Sequence, residues 1–152
     1  MKIALLGDIA IFGCHCLSKN KKFKNYFDKV KKHLSSFDIV IGNLEAPFAE
    51  NEKSILGKSA TVKSHPINVE LLNYLGITHV NLANNHIGDF GTSGYERTKE
   101  LLSSHNIEWF GTENRKIDIE INDEKISLLG FCSYNTNPAA VISKSKLGLN
   151  YL

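Results

Sequence analysis

Two carboxamides and an imidazole, Asn84-Asn85-His86, close the apolar segment Ile77–Leu82, and the turn Gly88-Asp89-Phe90-Gly91 follows. Core packing has little use for this trio, whereas metal and acid–base chemistry do. Two other apolar segments also end in polar groups. Lys2–Leu6 runs into Gly7-Asp8, and Phe37–Ile41 runs into Gly42-Asn43-Leu44-Glu45. If the three segments are neighbouring parallel strands, these ends share the sheet edge where α/β folds place their sites. Two carboxylates, two or three carboxamide oxygens and an imidazole make a mixed oxygen and nitrogen donor set. It suits Mn²⁺ and Mg²⁺, with Zn²⁺ or Fe²⁺ also open through the imidazole. Two such ions about 3.5–4 Å apart can share a carboxylate and activate a water for attack on a phosphoester.

Each residue also has a structural reading. Asp8 can cap the segment that follows it, and Glu45 can be a solvated loop acid. Asn84 reads as a turn residue, because asparagine tolerates left-handed backbone geometry. Asn85 beside His86 at a strand end reads as functional. Asp89 either orients His86 or only shapes the turn, and both readings stay open. His15 can reach the site from the first loop, whereas His33, His79 and His105 read as structural or exposed.

The elements that must position these groups follow from periodicity. Phe23, Tyr26, Phe27, Val30 and Leu34 fall at helical spacing and predict a helix with that stripe inward. Ile67–Leu75 is a short helix ended by Gly76, Ile77–Leu82 is a third strand, and Thr92–Ser104 is a helix with Thr92 or Ser93 as its cap. Ile107–Phe110 is a fourth strand. Lys116–Ile121 and Lys125–Phe131 alternate around Asn122-Asp123-Glu124 and predict a β-hairpin. Residues 46–66 lack periodicity, and a loop longer than about 15 residues in a compact domain is either functional or disordered. No regular element is secure from Tyr134 onward. The order predicts an α/β fold, a mainly parallel sheet flanked by helices with a late β-hairpin, in one domain over 1–152.

The 152 residues suit one core. No apolar run reaches the roughly 20 residues of a membrane span. Asp8 interrupts the N-terminal apolar run, so Met1–Ile11 reads as a first core strand of a protein that stays in the cytoplasm rather than as a signal peptide. A net charge of +2 argues against a nucleic-acid partner. The charge is uneven. Lys19, Lys21, Lys22, Lys24, Lys29, Lys31 and Lys32 face only Asp28, a pattern read as a solvated helix face ahead of a phosphate-binding patch. Cys14, Cys16 and Cys132 read as free thiols in a reducing compartment.

Taken in order, Gly7-Asp8, Asn43-Leu44-Glu45, Ala83-Asn84-Asn85-His86, Asp89-x-Gly91 with Gly94 and Thr98, and Leu128-Leu129-Gly130-Phe131 resemble the CapA-type capsule-synthesis family. That family is linked to poly-γ-glutamate capsules and belongs to the calcineurin-like metallophosphoesterase superfamily. The resemblance implies the N-terminal half of a metallophosphoesterase-like α/β sandwich. It implies that Asp8 is a metal ligand, that Glu45 with Asn43 stands at the bridging position, and that Asn85 ligates a second metal. His86 would protonate the leaving group or hold the phosphate. Two divalent ions (Mn, Fe, Zn or Mg) and a phosphorylated or polyanionic small molecule or polymer are the implied cofactors and partner.

The chain departs from that pattern at Ala10, where the superfamily has a histidine, and no histidine follows His105. It therefore carries half of the implied metal shell, as a truncated product, one part of a split protein or a degenerate relative. Three functions follow. One is a metal-dependent phosphoesterase acting in capsule or surface-polymer production. The second is a non-catalytic binding or scaffold module, which the missing ligands favour for this chain taken alone. The third, ranked last, is a thiol-dependent role for Cys14 and Cys16. A sheet edge left open near Ser127–Phe131 predicts a homo-oligomer or a second chain completing the domain.

Overall fold

The computed structural model describes residues 1–58, 60–133 and 150. Four strands, β1 (Ile3–Ile9), β2 (Ile39–Leu44), β3 (His79–Asn81) and β4 (Glu108–Phe110), form one parallel sheet in the order β1-β2-β3-β4. The connections carry α1 (Asp28–Leu34), α2 (Val69–Leu75) and α3 (Gly91–Ser104). β5 (Ile117–Ile121) and β6 (Glu124–Leu128) form a separate antiparallel pair. Asn122 and Asp123 supply the two positive φ angles, 51° and 63°, that a tight two-residue hairpin turn requires. The predicted α/β class with a parallel sheet, flanking helices and a late hairpin is the architecture found.

Side-chain alternation along β2 splits the core in two. Val40 and Leu44 join Ala4, Val80, Leu82 and Trp109 against the helical residues Leu34, Leu72, Tyr95 and Leu102. Ile39 and Ile41 join Phe110 in a second cluster, against Ile117, Ile119 and Ile126 of the hairpin. Helices thus cover one face of the sheet and the hairpin packs on the other. Leu5, Leu129 and Phe131 remain exposed. The readings placed on residues from Tyr134 onward lie outside the described residues, Asn150 excepted.

Two local expectations are corrected. The predicted first helix is a 3-10 helix over Lys21–Phe27 that becomes regular only in α1. With three residues per turn, positions 23 and 26 eclipse one another. Tyr26 therefore leans on Phe23, with ring centroids 5.8 Å apart, instead of entering the core. Tyr26 and Val30 are 78 % and 45 % exposed. The helix α3 begins one residue before the expected cap. Neither Thr92 nor Ser93 caps it, because Gly91 at φ 62° makes the entry and the Phe90 carbonyl accepts from Gly94 N–H.

Loop 46–66 is anchored at both ends. Phe48 N–H donates to the buried Thr98 hydroxyl at 2.9 Å, and across the loop's mouth Ala49 N–H donates to Ser64 O while Ser64 N–H donates to Pro47 O. Farther out, Glu52 accepts from Glu50 N–H and from Arg97 of α3. The Glu50 N–H is the largest of the effects that hold its carboxyl at about 2. A depressed carboxylate stabilises the fold above its ordinary range and loses that contribution as pH falls toward its folded value. Glu52→Gln is therefore expected to cost on the order of 1 kcal/mol at neutral pH. In urea unfolding, the difference from wild type should close between about pH 4.5 and pH 2. A pH-independent gap would refute the assignment.

Candidate functional site

The C-terminal edge of the sheet gathers most of the predicted residues. Asp8 and Asn43 are register partners on β1 and β2, and the Asn43 carboxamide donates to Asp8 Oδ1 at 2.7 Å. Asn43 Oδ1 in turn accepts from Asn81 at 3.0 Å and from Asn84 at 3.4 Å. A ladder of carboxamides thus fixes the spacing of three strand ends. Asn84 serves the turn through its side chain, not through the left-handed backbone that its sequence reading invoked. Its Oδ1 accepts from the backbone N–H groups of His86 and Ile87, and its amide donates to Leu44 O. This turn delivers Asn85 and His86 beside the end of β2.

Asp89 organises the imidazole. Its side chain is fully buried, and Oδ2 lies 2.8 Å from His86 Nδ1 and accepts from Val62 N–H at 2.7 Å. Oδ1 accepts from the ammonium of Lys58. Of the two open readings of Asp89, orientation of His86 is therefore present in the structure, together with shaping of the turn through Asp89 N–H to His86 O. In the neutral ring the contact to a carboxylate places the proton on Nδ1 and leaves Nε2 as an acceptor. Nε2 faces Glu45 Oε1 at 4.0 Å. That separation is too long for a hydrogen bond and is about twice a metal–ligand distance.

The structure thus brings Asp8 to Asn43, and sets Glu45 and Asp89 at opposite nitrogens of His86, with Asn84 joining the two groups. Asn85 contributes its backbone carbonyl to Lys58. His15 lies instead against Phe23, with ring centroids 5.1 Å apart. Among the described residues no group of three or more histidine, cysteine, aspartate or glutamate side chains is placed to hold a metal. The donor types fit a divalent ion in kind, two carboxylates and an imidazole nitrogen among carboxamide oxygens, but the described residues supply only part of a shell. None of the three cysteines forms a disulfide, and Cys14 is exposed whereas Cys16 and Cys132 are buried.

Residues 2–148, nearly the whole chain, match the family described as bacterial capsule synthesis protein PGA_cap. The chain belongs to this family. It is also similar to a capsule biosynthesis protein CapA of Bacillus anthracis, with 27 % identity over 142 residues that cover 86 % of this chain and 34 % of the relative. The chain therefore spans about a third of that relative's length.

For this PGA_cap-family chain, sequence reasoning missed Lys58. Its ammonium donates to Asn85 O and to Asp89 Oδ1 and lies 3.3 Å from His86 Nδ1. It sits in an aperiodic loop, so no pattern marked it. The available signal was the length of that loop, which had to be held by something. Asn81 was also missed as a positioning group. It spans the turn by accepting from Ala83 N–H and donating to Ala83 O. A carboxamide one residue before the end of the apolar run Ile77–Leu82 was its signature. No described helix is long and apolar enough to cross a membrane.

Proposed function

We propose that this chain forms part of a CapA-type protein of capsule or surface-polymer biosynthesis. Its strand-end site, when its shell is complete, hydrolyses a phosphate ester with the help of divalent metal. The observation that carries this reading is the confrontation of His86 Nε2 with Glu45 Oε1 at 4.0 Å. With the ring neutral and its proton on Nδ1, both atoms offer lone pairs to the space between them. A cation relieves that arrangement, and Asp8 and the Asn85 carboxamide are the further candidate ligands. A bound Mn, Fe, Zn or Mg ion supplies Lewis acidity and lowers the pKa of a coordinated water. The chain's own residues do the positioning. Asp89 fixes the ring of His86, Asn43 holds Asp8, and Asn84 joins β2 to the His86 turn. The substrate class is a phosphorylated or polyanionic molecule, and a second copy or another polypeptide segment completes the shell.

A second reading is a non-catalytic binding or scaffold module. The absence of a three-ligand cluster among the described residues favours it. Manganese titration followed by electron paramagnetic resonance separates the two. The metal reading expects stoichiometric binding that weakens by roughly ten- to hundredfold in Glu45→Gln and in Asp8→Ala. Hydrolysis of an aryl phosphate should fall in the same order. Binding no stronger than background, equal in all three proteins, would leave the scaffold reading.

A further inference from the structure

The lysine-rich segment differs from the rest of the molecule in how its charges are used. Residues 19–32 hold seven lysines and one aspartate, a net +6, leaving eleven basic and fifteen acidic residues elsewhere, a net −4. Outside the segment, six of the nine described lysines and arginines contact a carboxylate: Lys58, Arg97, Lys99, Arg115, Lys116 and Lys125. Among the described residues, none of the seven lysines in the segment forms such an ion pair. The one acid, Asp28, accepts from the hydroxyl of Tyr74. Lys31 lies over the Tyr74 ring at 3.9 Å and Lys24 at 5.6 Å. A face that only needed solvation would carry the mixed signs seen on the rest of this surface.

The same segment exposes apolar groups. Tyr26 and Val30 are exposed one helical turn apart, with lysines on either side. A soluble polyanion rewards the charge but gives these two side chains nothing. An anionic bilayer rewards both, because lysines sit at the headgroups while a tyrosine ring and a small aliphatic enter the interface. The basic residues are all lysines, point charges on flexible stems, with no arginine fork for bidentate phosphate or base recognition. We propose that the face formed by residues 19–32 docks this protein onto an anionic phospholipid surface. The proposal does not depend on metal or hydrolysis at the strand-end site.

The test is flotation of the 152-residue chain with vesicles of phosphatidylglycerol and phosphatidylcholine in equal parts, against vesicles of phosphatidylcholine alone. One variant carries Lys21→Gln, Lys22→Gln, Lys29→Gln and Lys32→Gln, and another carries Tyr26→Ser. All five side chains are exposed, and circular dichroism checks that the fold is kept. The expected result is binding to the anionic vesicles only, reversed at about 0.5 M salt. The partition coefficient should be at least about tenfold lower in the lysine variant and several-fold lower in Tyr26→Ser. No flotation, equal binding to neutral vesicles, or an unaffected lysine variant would overturn the proposal. If Tyr26→Ser costs nothing and dextran sulfate binds as tightly as vesicles, a soluble polyanion replaces the bilayer.

Discussion

Replacing Asp89 by asparagine is expected to lower the unfolding free energy by about 3 kcal/mol, read from the shift of a urea transition. All the side-chain partners of this carboxylate are donors in the neutral-ring arrangement: the Lys58 ammonium, the Val62 N–H and His86 Nδ1–H. An amide offers one acceptor oxygen and one NH₂ group, so whichever way it turns, the NH₂ meets a donor. The substitution also leaves the Lys58 ammonium, only 22 % exposed, without its counter-charge. Breaking one side of a buried pair costs more than the pair is worth, because the other charge stays desolvated. Adding Lys58→Met to Asp89→Asn should therefore recover part of the loss. A destabilisation below about 1 kcal/mol, or a double substitution that is simply additive, would show that Asp89 is not the hub described.

The same substitution has a local signature. Asp89 ties loop 46–66 to the His86 turn through Lys58, Val62 N–H and the bond from Ile55 N–H to Asp89 O. The Ile55 bond involves only backbone and survives the change, while the other two weaken. Limited proteolysis between residues 55 and 62 is thus expected to quicken before the global transition moves. A site that depends on an ordered imidazole is in this way coupled to a loop that contributes no strand-end ligand.

The sheet and the strand-end residues were legible because they obey short-range rules. Apolar runs of four to six residues that end in polar groups have few alternatives in an α/β chain, and Asp8, Asn43, Glu45, Asn85, His86 and Asp89 all lie where such runs end. What escaped depends on contacts distant in sequence. Lys58 reaches His86 and Asp89 across 28 and 31 residues, and no local pattern in the loop encodes those partners. Tyr26 escapes the core because 3.6-residue spacing does not hold through a segment that winds more tightly, whereas Val30 is 45 % exposed within the regular α1. The cap of α3 was misassigned because serine and threonine dominate the statistics of that position, whereas here a left-handed glycine makes the entry. The unpaired state of the lysines was also invisible, since a sequence shows which charges exist but not which of them find partners.

Gly111→Ala is expected to cost at least about 3 kcal/mol and to disturb the site from behind. Gly111 has φ 93°, where a Cβ is strained in any surroundings. The added methyl would also sit 2.4 Å from Asn81 Oδ1, 2.8 Å from Ala83 Cβ and 3.0 Å from Ala83 N. Gly130 crowds the same oxygen, since a Cβ there would lie 1.9 Å from Asn81 Oδ1 and 3.0 Å from Gly111 Cα. Displacing Asn81 removes its bonds to Ala83 and its support of Asn43 Oδ1, and through Asn43 it loosens Asp8. A double-substitution cycle isolates this route. Asn81→Ala on its own should cost about 2 kcal/mol through the unpaired Ala83 N–H and the lost Asn43 contact. In the combined protein the overlap with Oδ1 is gone while the φ strain and the Ala83 contacts persist. The two losses should thus fall short of additivity by about 1–2 kcal/mol. Full additivity would mean that Gly111 is required only for its backbone angle and that its contact with Asn81 carries no energy.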